Sequence, residues 1–98
     1  MAESEDQGGK VTLEVKLDYP LDYQFKIMGL AGDDFAEHAR RLVERASGLP
    51  APAEQVTIRV SSQGKYHSVS VVVRLESEEQ RRAVYQLLHD DERVVYYL

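Results

Sequence analysis

The sequence predicts an α+β sandwich, a four-stranded antiparallel sheet with two helices on one face. Three observations predict it. Val56–Ser61 and Tyr66–Leu75 each alternate apolar with polar residues and are joined by Ser62-Gln63-Gly64-Lys65, the pattern of a β-hairpin. On either side of the hairpin lies a stretch with an apolar stripe at helical spacing. A further alternating run precedes the first stripe and another follows the second.

At the amino terminus, Met1 to Gly9 is polar and lacks an apolar anchor. Such composition predicts disorder. Val11, Leu13, Val15 and Leu17 alternate with Thr12, Glu14 and Lys16, which fits an extra edge strand or an extended arm. Residues 1–16 are therefore expected as a disordered or extended arm, and 17–98 as a single domain. Tyr19-Pro20 interrupts the run, because proline cannot donate to a ladder.

Tyr23 to Met28 is the first strand, with Tyr23, Phe25 and Ile27 on one side and Gln24, Lys26 and Met28 on the other. Gly29-Leu30-Ala31-Gly32 reads as a flexible loop, and Asp33 or Asp34 as the cap of the next helix. Phe35, Ala39, Leu42, Val43 and Ala46 then share one helical face. Gly48 fits the stop, and Pro50 and Pro52 forbid a return to helix. After the hairpin, Ser77 and Gln80 match a capping box, and Ala83, Val84, Leu87 and Leu88 make the second stripe. Arg93 to Leu98 is the last strand, with Val94, Tyr96 and Leu98 expected inward and Val95 and Tyr97 outward.

Right-handed crossovers convert this order into a ferredoxin-like βαββαβ sandwich with strand order 4-1-3-2. Tyr23, Phe25, Ile27, Val56, Ile58, Val60, Val69, Val71, Val73, Leu75, Val94 and Tyr96 are expected to face the helices, and the opposite sheet face to lie open.

Composition bounds the function. With 98 residues the chain suits one domain and one core. It has no cysteine, which removes disulfides, thiol catalysis and cysteine metal sites. No apolar run reaches membrane-spanning length and the amino terminus has no secretory h-region, so a cytoplasmic location is expected. The net charge of −5 lacks the basic footprint of a nucleic-acid binder. His38, His67 and His89 show no ligand spacing, so no metal or cofactor is expected. Ser68 and Ser70 have no paired base or orienting acid, which argues against nucleophilic catalysis and for a protein that is not an enzyme.

The stretch Tyr23-Gln24-Phe25-Lys26-Ile27-Met28-Gly29, and above all Val60-Ser61-Ser62-Gln63-Gly64-Lys65-Tyr66-His67-Ser68-Val69-Ser70-Val71, resembles the YbeD family of small bacterial proteins of unknown function. Val94 to Leu98 is similar too, and the resemblance spans about Leu17 to Leu98. It implies an ACT-like domain, a fold whose members bind amino acids and regulate enzymes. It also implies a link to lipoate metabolism, since family members are often encoded near genes of lipoate attachment. The extension from Met1 to Lys16 departs from the short family form.

Two other functions share this strand order. An RNA-recognition domain needs further aromatics on the open face, where this chain has Ser68, Ser70 and Lys26. Acylphosphatase chemistry needs a positioned asparagine, and this chain has none.

The candidate surface is the open sheet face, with Lys26, Met28, Arg59, Ser61, Tyr66, Ser68, Ser70 and Arg74. Bases among hydroxyls suit a carboxylate, a phosphate or an acidic partner surface. Gly29 and Gly32 form a second candidate, where an amino-acid carboxylate would meet the helix start. The expected function is regulatory or adaptor contact with a protein partner or a second copy of the chain. The alternative is an ACT-type sensor of an amino acid or other small anionic metabolite. Neither nucleic acid nor membrane is an expected partner.

Overall fold

The computed structural model of the protein describes residues 16–32 and 34–98. The arm expected over residues 1–16 therefore lies, but for Lys16, outside the described residues. So does Asp33, one of the two expected caps.

The elements in chain order are β1 (Leu21–Leu30), α1 (Phe35–Ser47), a 3-10 turn (Ala53–Gln55), β2 (Val56–Val60), β3 (Tyr66–Leu75), α2 (Glu78–Asp90) and β4 (Val94–Tyr97). The sheet is antiparallel in the order β2-β3-β1-β4, which read from the other edge is the expected 4-1-3-2. β1 and β3 pair along their whole lengths, from Leu21 opposite Leu75 to Leu30 opposite Tyr66. This long central ladder sets the parity of every other row.

The core is built from the inner face of that ladder and the facing helices. Phe25, Ile27, Val69, Val71, Val73 and Leu75 are buried against Phe35, Ala39, Leu42, Val43, Val84 and Leu88. Burying a side chain of this size contributes about 1.5–3 kcal/mol. Ser77 caps α2 as expected, accepting from the Gln80 backbone N–H at 3.3 Å. The Gln80 amide accepts in turn from Glu76 N–H and donates to the Ser47 carbonyl at the end of α1, so one side chain ties the two helices together. α1 ends at Gly48, which takes the left-handed conformation (φ +72°) and donates to the Glu44 carbonyl. In the hairpin turn Gly64 also has a φ of +72°, and Ser61 Oγ accepts from Tyr66 N–H.

Four expectations change. β1 runs on through Gly29 and Leu30, so these residues are strand and not loop. Asp34 precedes α1, but its carboxylate makes no cap bond and pairs instead with Arg93. Ile58 and Val60 point to the helix side yet remain 54% exposed, because β2 is an edge strand beyond the ladder that the helices cover. In β4 the faces after Val94 are reversed. Gly29 pairs with Val94 and Met28 with Tyr96, so Val95 is an extra residue in a bulge. Tyr97 therefore packs on the core, 5.8 Å from the Tyr85 ring, while Tyr96 is 54% exposed on the open side.

Candidate functional site

The open sheet face is a grid of three rows set by the ladder register. Lys26 stands beside Ser70, which stands beside Thr57. Met28, Ser68 and Arg59 form the next row. Leu30 and Tyr66 continue it, with Ser61 just past the end of β2. The middle column, on β3, is short at Ser68 and Ser70 and is flanked by long side chains on both sides. Small residues between long ones leave a trough, with Lys26 and Met28 as one wall, Arg59 as the other and Tyr66 at one end. The concavity measures about 650 Å³ and is also lined by Gln24 and Ser62.

The charge of the trough is one-sided. Lys26 and Arg59 are both exposed, and neither has an ion pair among the described residues. Among the described residues no lining side chain is a carboxylate or a histidine. Lys65, at the turn, lies 5.5 Å from the centre of the Tyr66 ring. Beside the trough, toward the β4 edge, runs an apolar ridge. Leu30 is 57% exposed, Met28 is half-buried, and Tyr96 stands opposite it. Leu98, 59% exposed, is held to Lys26 by two backbone hydrogen bonds of 3.1 and 2.9 Å.

Seven of the eight residues expected on this face meet in the trough. Arg74 does not; it lies beyond the rows and pairs with Asp22 at 3.4 Å. Gly29 and Gly32 are not part of it. A Cβ on Gly29 would overlap the Phe35 ring and come within 2.7 Å of the Arg93 carbonyl, so this glycine serves packing. At the start of α1 the Gly32 carbonyl accepts from Phe35 N–H, and Ala31 N–H donates to Lys65 O. Asp34 faces Arg93 there at 2.9 Å, and that guanidinium holds its carboxyl below the usual carboxylate range. An incoming carboxylate would meet this acid first. The ridge residues Tyr96 and Leu98 were not expected on the open side. The Met28/Gly29 bulge that turns them there leaves no mark in the apolar run Val94-Val95-Tyr96-Tyr97.

The remaining polar clusters lie on the helix side and hold the fold. His38 Nε2 lies 2.9 Å from Asp91, whose other oxygen accepts from Arg93 N–H. Tyr23 and Tyr85 share a hydroxyl–hydroxyl hydrogen bond of 2.8 Å, and burial together with this contact raises the Tyr85 pKa. Glu78 gathers Tyr19, Arg81 and Arg82, and the Arg81 contact above all lowers its pKa to about 2. Among the described residues no three His, Asp or Glu side chains converge as a metal site would require. Among them, too, no helix is long and apolar enough to cross a membrane.

Comparison with known proteins agrees with the expected resemblance. A family model described as "Protein of unknown function (DUF493)" matches residues 14–98. A UPF0250 protein of Idiomarina loihiensis is 36% identical over 90 residues, covering 91% of this chain and 98% of the relative. A UPF0250 protein of Ralstonia nicotianae is 34% identical over 88 residues, covering 90% of each chain. Among solved structures, the solution structure of protein HP0495 from H. pylori superposes with a TM-score of 0.69 at 19% identity, covering 94% of this chain and 98% of that one. At that identity the likeness shows the shared fold alone.

Proposed function

We propose that this chain, which belongs to the DUF493 family of proteins of unknown function, acts by contact. It is a regulatory or adaptor domain without catalysis, and its open sheet face takes up an acidic protein partner. The observation that carries this reading is the trough, which sets two exposed cations on opposite walls beside an apolar ridge. A partner offering carboxylates to Lys26 and Arg59 and apolar side chains to Leu30, Met28 and Tyr96 would match it. Partly shielded charge pairs give orientation and on-rate, and the apolar ridge gives buried area. Among the described residues the lining offers Ser68 and Ser70 no histidine or carboxylate as a base, which supports binding over chemistry.

The test is affinity capture from a bacterial host at low salt, with the full chain and with a Lys26→Ser/Arg59→Ser variant. A specific protein captured by the former should be lost with the latter. Arg74→Ser, outside the trough, should retain it. Equal recovery with all three removes the basic face from the contact.

One observation favours a second reading, an ACT-type sensor. A volume of about 650 Å³ lies within the range of small-molecule sites. Ligand-observed NMR against amino acids, lipoate and phosphate-bearing metabolites separates the two. Saturable binding of one compound, with amide shifts in the trough or at Ala31 to Asp34, would support the sensor. Lipoate belongs in that set because the YbeD resemblance implies a link to its metabolism.

A further inference from the structure

We propose that the trough is a docking site for an extended acidic segment, and that in the free chain its occupant is the chain's own Glu3-Ser4-Glu5-Asp6. The proposal rests on the contact reading above and names the regulation of that same surface.

Charge is the first argument. Residues 1–15 hold Glu3, Glu5, Asp6 and Glu14 against Lys10, which is −3 of the net −5. Among the described residues the trough offers Lys26 and Arg59 and no acid. This acidic amino-terminal stretch and the trough are thus of complementary sign.

Geometry is the second. Lys26 and Arg59 lie on the strands that flank β3, one row apart, so their backbones are about 12 Å from one another. Glu3 to Asp6 spans about 10 Å when extended. Successive side chains of an extended segment point to opposite sides, so Glu5 and Asp6 would address opposite walls while small Ser68 and Ser70 leave room beneath. Length is the third argument. Fifteen residue steps separate Asp6 from Leu21, an extended length of at most about 50 Å. From Leu21, where β1 begins, to Lys26 is about 17 Å.

Docking in cis would compete with an acidic partner. Tethering supplies an effective concentration in the mM range, and exposed charge pairs are individually weak. The competition is therefore modest and sensitive to salt.

The test compares amide spectra of the full chain with those of a Glu3→Gln/Glu5→Gln/Asp6→Asn variant of the same length. At low salt the two should differ at Lys26, Thr57, Arg59, Ser68 and Ser70. The difference should vanish near 0.5 M salt, where screening is nearly complete within about 4 Å, and in a Lys26→Ser/Arg59→Ser background. An acetylated Glu-Ser-Glu-Asp-Gln-Gly peptide added in trans should bind the neutralised variant about two- to fivefold more tightly than the full chain. Superimposable trough amides at low salt overturn the proposal, and so does equal peptide affinity for both chains. Peptide binding that depends on Lys26 and Arg59 but ignores the neutralisation removes the occupant and leaves the contact reading standing. Trough shifts on neutralisation, with partner capture indifferent to Lys26 and Arg59, do the reverse.

Discussion

Gly29 shows how one position can carry a packing constraint that its own neighbourhood in the chain does not reveal. A glycine after an alternating run reads as the start of a loop, yet here it stays in β1 so that the Phe35 ring can lie against the backbone. Gly29→Ala should cost about 2–4 kcal/mol, since ring and Arg93 carbonyl must both give way. Gly32→Ala meets nothing closer than 3.7 Å and should change stability by less than about 0.5 kcal/mol. Urea denaturation of both variants checks the contrast. Glu78 makes a prediction in pH. Its pKa, lowered from 4.5 to about 2, means that the folded state releases this proton more readily than the unfolded chain. Its contribution is thus complete above about pH 4.5 and is lost as the pH falls toward about 2. Glu37, held by Arg40 and Arg41 and also lowered to about 2, acts in the same window. Denaturation midpoints measured between pH 5 and 2.5 should fall less steeply in Glu78→Gln than in the full chain. An identical slope would remove Glu78 from the account.

At the scale of elements, what was legible followed from local chemistry. The hairpin, the Gly48 stop and the Ser77 cap are written in residues that touch within a turn or two, and they form as expected. Ser77→Ala should therefore cost about 1 kcal/mol, read as a lower denaturation midpoint without a change in slope. The features that escaped are non-local. Asp34 leaves its capping role for Arg93, 59 residues away. Alternation assigns Ile58 and Val60 to a face but cannot say whether a helix reaches that edge. In β4, four consecutive apolar residues offer no contrast from which to read a phase, so the bulge beside Met28 decides it. The candidate surface divides in the same way. The parity that places Lys26, Met28, Arg59, Ser68 and Ser70 on one face is legible. The trough is not, because its depth comes from side-chain lengths on three strands that meet only in the sheet. Arg74 is separated by its place on β3, two rows beyond Ser70, where it faces Asp22 across the β1–β3 ladder.

For the whole molecule, the two sheet faces divide the work. One is consumed by the core, whose buried residues run from Phe25 to Leu88. The other pairs a basic, hydroxyl-lined trough with an apolar ridge in a protein that is acidic as a whole. On the reading proposed above, this surface would receive a partner of opposite sign. The helix side also has a shallow apolar depression between Ala46, Ala83 and Leu87, flanked by Arg45 and Asp90, which makes a natural control region. The most direct test adds the protein captured from the host, unlabelled, to the isotope-labelled chain and follows backbone amide shifts. The shifts should cluster at Lys26, Met28, Thr57, Arg59, Ser68 and Ser70, with Tyr96 at their edge, and should weaken as salt is raised. Shifts confined to the helix depression around Ala46 and Ala83, with the trough amides unmoved, would contradict the contact reading.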